Sequence, residues 1–438
     1  MRGDRMYFSA RLQRILHQVR HSVESPARTP RMAVVIGRLL AIAFLVCFAT
    51  GLYSHFLQDP LPWMVFPTRP VWIYQLTQGI HITTGIACLP LLFGKLFTIF
   101  PELFQHPPIR SFPHLLERAS IALFVAASLV QITIGLLNTY QLYALFGFDF
   151  RLTHFALSWV IIGSLAIHIG IKLPTIAKHW RKRDSDDDTH ALIVQNADPD
   201  AELDVPDELQ RLTGEKPASG LVGRLFAWID RTPAPRTSAG VRATRRGFLT
   251  TVAVAAAVVV ATTAGQSFGI VDTLNVFAPR KRGVGPQSLP VNRTAQSAGV
   301  LETAIAPEWT LSVTHGEVRE VFSRSRLLAL PQFAVDLPIA CVEGWSQDAS
   351  WRGPRLSDLL DAVGAAPDAH VRIVSLQQEG SYGVSEMQPE FVRDPLTLVA
   401  LELYGEQLDI DHGYPARIIA PGRPGVLQTK WLSRIEVI

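Results

Sequence analysis

The sequence predicts an α-helical membrane domain of four spans plus a fifth signal or anchor span, followed by an α+β domain. Three observations carry that prediction. Of 438 residues, 48% are hydrophobic and only 18% charged, and the mean hydropathy of +0.20 is too high for an ordinary soluble enzyme. Long apolar stretches fill the first half of the chain, whereas short alternating runs take over beyond Pro286.

The four stretches cover residues 33–56, 71–100, 119–146 and 152–176. Each supplies the roughly 20 apolar residues that a helix needs to cross a hydrocarbon core. Backbone polar groups in lipid must be satisfied within the chain, so helices and not strands are expected. Residues 1–32 form a basic N-terminus with arginines at 2, 5, 11, 14, 20, 28 and 31, and Lys178, Arg181, Lys182 and Arg183 follow the fourth span. The positive-inside rule places both segments in the cytoplasm. The outer loops hold only Arg69 and Arg151, and the loop between spans two and three holds Arg110 and Arg118.

Residues 177–243 read as a cytoplasmic charged linker, with the run Asp184-Ser-Asp-Asp-Asp188 and several prolines. Its segment 221–229 is amphipathic enough to lie on a membrane surface for a turn or two. Residues 244–270 open with Thr244-Arg245-Arg246-Gly247-Phe248-Leu249-Thr250 and continue as an Ala/Val/Thr-rich span. The pattern resembles a twin-arginine export signal, which suits a domain that folds around a cofactor before it is moved. No convincing cleavage site follows, so the span is expected to stay as an anchor. Arg280-Lys281-Arg282 just beyond it runs against the positive-inside rule. Within residues 286–438, the runs from Trp309, Val371 and Trp431 read as strands and residues 355–363 as a short amphipathic helix.

Cys341 is the only cysteine outside the apolar half, in Leu337-Pro-Ile-Ala-Cys341-Val-Glu-Gly-Trp345-Ser346. Alone, such a thiol reads as a buried small hydrophobe or as a ligand. Downstream comes Asp411-His412-Gly413-Tyr414-Pro415-Ala416-Arg417, then Pro421-Gly-Arg423-Pro-Gly425, then Lys430-Trp431. Together these segments resemble the molybdopterin-binding domain of the sulfite oxidase family, from about Pro290 to Ile438. The resemblance implies that Cys341 binds molybdenum and is the catalytic centre. It implies that Asn292, Arg293, His412, Arg417 and Lys430 hold the pterin and its phosphate. Arg and Lys suit a phosphate by charge, Arg also by its fork of donors. Trp345, Ser346, Trp351 and Tyr382 are candidates for lining the pocket, with structural core the favoured role for the tryptophans. The chain ends just after the last motif, so the β-sandwich dimerisation domain of sulfite oxidases is not expected.

Four of the thirteen histidines lie in or at the ends of the spans: His55, His81, His154 and His168. Ionisable groups inside a membrane are costly and mark function by default. His154 and His168 are 14 residues apart, nearly four turns, which puts them on one helix face about 21 Å apart along the axis. That arrangement suits two haems stacked across a bilayer. It resembles the di-haem cytochrome b subunits of membrane oxidoreductases, which implies that His81 and His154 ligate an outer b haem. For an inner haem His168 lacks an evident partner, because the inner end of span one offers Arg38 and no histidine. The alternative pairing of His55 with His154 and His81 with His168 uses all four.

The whole is expected to be a membrane-bound molybdenum oxidoreductase, relaying electrons between the quinone pool, a b haem and an exported molybdopterin site. Reduction of an S-oxide or similar oxo-acceptor is the favoured direction, on a small-molecule or protein-borne substrate. Sulfite oxidation feeding quinone is one alternative, and a non-enzymatic membrane protein with a degenerate domain is another. Membrane lipid and quinone are the expected partners, nucleic acid is not, and the C-terminal domain is expected outside the bacterial cytoplasmic membrane.

Overall fold

The computed structural model describes residues 27–100, 111–145, 147–180, 245–264, 267–378, 380 and 382–438. The arginines before residue 27, Arg110, Arg181 to Arg183 and nearly all of the 177–243 linker, with its 221–229 segment, lie outside the described residues.

Among the described residues, five helices are long and apolar enough to cross a membrane: α1 (Pro30–Gln58), α2 (Ile73–Ile99), α3 (Phe112–Thr139), α4 (Phe150–His179) and α5 (Arg245–Ala264). At 1.5 Å per residue each spans about 30 Å or more. The third departs from the 119–146 expected, beginning and ending seven residues earlier. At its start the Ser111 hydroxyl accepts from the His114 amide at 3.3 Å, so Glu117 and Arg118 are inside the helix instead of in the loop before it. At its end Leu142, Tyr143 and Leu145 keep the sequence apolar, yet Gln141 takes a left-handed φ of 56° and Tyr143–Leu145 form a separate 3-10 turn. Hydropathy registers side chains, whereas the helix stops where the backbone turns. The fifth helix likewise stops at Ala264, short of the Gly269 that composition allowed.

The chain divides into two compact units. One contains the residues up to Ile42, Cys88–Gln131 and Ala156–Ala256, and the other contains Ala43–Ala87, Ile132–Phe155 and Ala257–Ile438. The second holds all the strands. A five-stranded sheet runs β2-β1-β11-β5-β6, built from β1 (Thr310–His315), β2 (Val318–Ser323), β5 (Val371–Ser375), β6 (Val384–Met387) and β11 (Leu432–Val437). β1 and β11 pair in parallel and the other neighbours antiparallel. A second sheet, β3-β4-β8-β9, joins β3 (Phe333–Ala340), β4 (Ser346–Gly353), β8 (Glu402–Leu403) and β9 (Glu406–Gln407). β7 (Leu398–Ala400) pairs with β10 (Arg417–Ile419). The strands expected near residues 309, 371 and 431 are β1, β5 and β11, and the expected helix is Leu356–Asp361.

Alternation explains the first sheet: Val371, Ile373 and Ser375 of β5 are buried, with half-buried residues between them. The main core joins Leu311, Val313, Phe322, Leu356, Ile373, Ile418 and Ile435, and it also takes in Leu57, Phe66 and Tyr74. Those three come from the end of α1, the start of α2 and the segment between. Arg69 of that segment makes a two-pronged ion pair with the buried carboxylate of Asp394, at 2.8 and 3.1 Å. The Gln388 amide donates to the Met64 carbonyl at 3.0 Å.

Candidate functional site

Cys341 sits where β3 hands over to β4. The strands pair up to Ala340 and Ser346, and a tight loop closes between them. The Cys341 amide donates to the Trp345 carbonyl at 2.8 Å, and the Gly344 amide to the Cys341 carbonyl at 3.0 Å. Gly344 has φ 101°, a conformation that a Cβ would strain. The thiol is 1% exposed. Burial first, and the Glu343 carboxylate second, push it well above the ordinary thiol range. Burial and Glu343 thus favour the thiol over the thiolate, so a metal binding there would have to displace the proton.

The other loop residues are held from the helix ends of the same unit. The Val342 carbonyl accepts from the Gln78 amide of α2 at 3.2 Å and from the Asn138 amide of α3 at 3.3 Å. Asn138 in turn accepts from the Tyr143 hydroxyl at 2.7 Å. The Glu343 carboxylate accepts from the Gln141 amide and pairs with the Arg280 guanidinium at 2.9 Å. Burial raises the Glu343 carboxyl, and Arg280 and Gln141 oppose that shift. Ser267 donates to the Gly344 carbonyl. Tyr74, Tyr143 and Tyr382 are close enough for their hydroxyls to interact electrostatically with the thiol. Gln78, Asn138, Gln141, Arg280 and Glu343 escaped the motif-based reading. Amides inside or at the ends of apolar helices were the available signal.

Lys430 lies deep beside the loop. Its ammonium donates to the Asn292 side-chain oxygen at 3.1 Å, the Arg293 carbonyl at 2.6 Å and the Asp411 carbonyl at 2.9 Å. Burial, and then the nearby Arg417, hold it down to about 7. Arg293 donates to the Ser297 carbonyl at 2.6 Å, and its buried Nε has no hydrogen-bond partner. Its other terminal nitrogen lies 2.4 Å from where a Cβ on Gly380 would stand, so only glycine fits there. His412 donates from Nε2 to the Pro286 carbonyl at 2.7 Å, and burial pushes it down to about 4. Arg417 is placed otherwise than a phosphate ligand would be. Its terminal nitrogens donate to the His412 and Gln428 carbonyls at 3.0 and 3.2 Å, and its guanidinium lies 4.9 Å from the Trp351 ring centre. It braces the two segments that carry His412 and Lys430.

An anionic pterin with a thiolate-bound metal fits this set of donors. Lys430, Asn292 and Arg293 form one polar wall. Trp345 contributes a buried Nε1 with no hydrogen-bond partner, a donor available to a heteroatom. Trp351 instead spends its Nε1 on the Leu337 carbonyl at 3.3 Å. The Ser346 hydroxyl reaches the Ser267 carbonyl at 3.4 Å, and the Tyr382 hydroxyl reaches Gln58 at 3.4 Å.

Of the four histidines, the structure brings His81 and His154 together. Their ring centres are 6.3 Å apart with the planes at 75°. Two imidazoles each about 2 Å from a common metal have ring centres about 6 Å apart, so the pair fits a single iron. Nδ1 of His81 donates to the Cys47 carbonyl at 2.8 Å, which leaves Nε2 as the nitrogen that could ligate. A Cβ at Gly51 would come within 2.8 Å of the His81 ring. His55 is not brought to either: its ring stacks on Phe155 with centres 3.7 Å apart. His168 belongs to the other unit, where it stacks on Phe124 at 6.1 Å.

The sheet-rich C-terminal domain is similar to the molybdopterin-binding domains of oxidoreductases. Residues 298–438 match the family model of the oxidoreductase molybdopterin binding domain, with Asn292 and Arg293 just ahead of the matched segment. Over 162 residues the chain is 30% identical to mitochondrial sulfite oxidase of Drosophila melanogaster, covering 30% of this chain and 28% of that one. Human mitochondrial sulfite oxidase is 36% identical over 100 residues, 20% of this chain and 18% of that one. The protein-methionine-sulfoxide reductase catalytic subunit MsrP of Gluconobacter oxydans is 33% identical over 147 residues, 30% of this chain and 47% of that one. The chain thus spans less than half the length of these relatives. Among solved structures, the sulfane dehydrogenase SoxCD from Paracoccus pantotrophus is 24% identical with a TM-score of 0.28, covering 31% of this chain and 40% of that one. The matches support an oxidoreductase enzyme with a molybdopterin cofactor in the C-terminal domain.

Proposed function

We propose that the chain is a membrane-bound molybdenum oxidoreductase in which His81 and His154 would hold one b haem and Cys341 would hold molybdenum, the two groups supplying an electron path from quinol. At Cys341 an S-oxide or similar oxo-acceptor is reduced. The observation that carries this reading is the shared carbonyl of Val342. It follows Cys341 in the chain and accepts from Gln78, one helical turn before His81. The Cys341 loop is thus hydrogen-bonded, within one unit, to the helix that bears His81.

When bound, the molybdopterin centre supplies two-electron oxygen-atom transfer. The protein's part is to position and to set charge. Cys341 ligates, Lys430, Asn292 and Arg293 would hold the pterin, and His412 keeps its Nε2 proton on Pro286. Charge favours the direction. Sulfite is an anion and calls for unspent cations, whereas Arg280, the guanidinium whose charge reaches Cys341, is neutralised by Glu343. Lys430, the other cation whose charge reaches Cys341, would be taken by the pterin. A neutral S-oxide, taking two electrons and two protons to give sulfide and water, suits such a site. The name of the MsrP relatives supports the same direction, and the sulfite oxidase relatives support the reverse one.

The Arg245-Arg246 pair at the start of α5 supports export of the C-terminal domain to the outer side of the cytoplasmic membrane. The full chain, purified from a molybdopterin-competent host, is expected to carry about one molybdenum and one haem and to oxidise a quinol analogue when an S-oxide is supplied. Absence of molybdenum sinks the reading and leaves a degenerate domain. Quinone reduction by sulfite keeps the metal and reverses the flow.

A further inference from the structure

The first unit, considered by itself, contains a group of ionisable side chains that the relay above does not use. Glu117 of α3 and Lys172 of α4 form an ion pair at 2.6 Å. Lys95 of α2 donates to the Ala33 carbonyl of α1 at 2.8 Å, in a notch kept open by Gly37, where a Cβ would lie 3.3 Å from the lysine nitrogen. His168, one turn before Lys172 on the same face of α4, stacks on Phe124. Lys95, Lys172 and Glu117 are all close enough to act on the His168 ring electrostatically.

Charges within membrane spans cost about 2.5–3.5 kcal/mol each at mid-depth on insertion scales, and less near helix ends. Three from three helices, gathered about a histidine, are not a solvated surface. Simple anchoring is a poor account of Lys95, because a snorkelling lysine extends its amine to water and this one turns it onto a helix carbonyl.

We propose that Lys95, Glu117 and His168, with Phe124, form the binding site of a membrane-soluble hydroquinone. The inference rests on the quinol-to-molybdenum reading and supplies its entry point. A hydroquinone needs a flat apolar face, a donor for each oxygen and a base. Phe124 offers the face, Lys95 and His168 the donors, and the Glu117 carboxylate the base. Hydroquinone loses two electrons and two protons to become quinone. The electrons leave singly to the b haem, one proton passes to Glu117 and onward to water, and the other follows through the same group after it has discharged the first. His168 is accordingly a quinol contact and not the ligand of a second haem.

The test uses the full chain in lipid nanodiscs with a photoreactive azido-decylquinone. Label is expected on peptides bearing Lys95, Glu117 or His168, and it should be displaced by excess decylubiquinol. Label elsewhere, or label that decylubiquinol does not displace, overturns the site. In Lys95→Met and Glu117→Gln, the ratio of quinol-driven to viologen-driven S-oxide reduction should fall at least tenfold. An unchanged ratio also overturns it. His168→Phe should keep the haem content of wild type, and loss of a haem returns His168 to ligation and refutes the proposal. A wild-type protein that fails with viologen as well as quinol refutes the molybdenum reading instead, while the labelling result still judges the site.

Discussion

Cys341 illustrates how much a single position owes to its surroundings. Cys341→Ser removes one sulfur's worth of packing but replaces a soft ligand by a hydroxyl that does not ionise near neutral pH. Loss of turnover and of bound molybdenum is expected, with an unchanged far-ultraviolet circular dichroism spectrum, and full molybdenum content in the variant would remove Cys341 from the metal. His412 gives a different kind of test. Between its ordinary value of 6.5 and the value of about 4 to which burial pushes it, the folded protein binds fewer protons than the unfolded chain. Stability is therefore complete above about 6.5 and declines as pH falls towards 4, by at most about 3 kcal/mol. Urea midpoints between pH 7 and 4.5 should drop more steeply for wild type than for His412→Gln, and parallel curves would refute the assignment. The candidate ligand residue types could be named from the sequence because their chemistry is local. Glu343 and Arg280 were not, since 63 residues separate them in the chain and only the fold makes them a pair.

At the scale of elements, helix existence followed from composition, whereas helix ends did not. α3 ends at Thr139 although the apolar run continues, because Gln141 turns the backbone and spends its side chain on Glu343 and Asn292. Short strands such as β8 and β9 carry no periodicity of their own and arise from pairing with β4 and with each other. The histidine spacing on α4 was visible, and so was the pairing with α2 suggested by resemblance. The Cys47 carbonyl that orients His81 was not, since backbone acceptors leave no trace in a sequence. His81→Ala and His154→Ala should each abolish the reduced b-type absorption bands, because no water in lipid replaces a lost imidazole at comparable strength. His55→Ala should leave them intact. Wild-type bands in the His81 or His154 variants would break the relay at its first link.

For the molecule as a whole, the arginine distribution and the pair at the start of α5 predict opposite sides for the linker and the C-terminus. Reporter fusions at Gly220 and after Ile438 should differ, and Arg245→Lys with Arg246→Lys should prevent outward appearance of a folded domain. Cytoplasmic signal from both fusions would discard export. The linker between α1 and α2 looked from the sequence like an ordinary outer loop, and nothing in it announced that Phe66 fills the core of a domain more than 200 residues further along the chain. That insertion makes the catalytic part an incomplete solid when taken alone. Its last apolar wall and the cation for Asp394 arrive from chain synthesised first, so the early helices serve the late domain as a mould. Genetic exchange of the C-terminal half between related proteins should then succeed only when residues 57–74 travel with it.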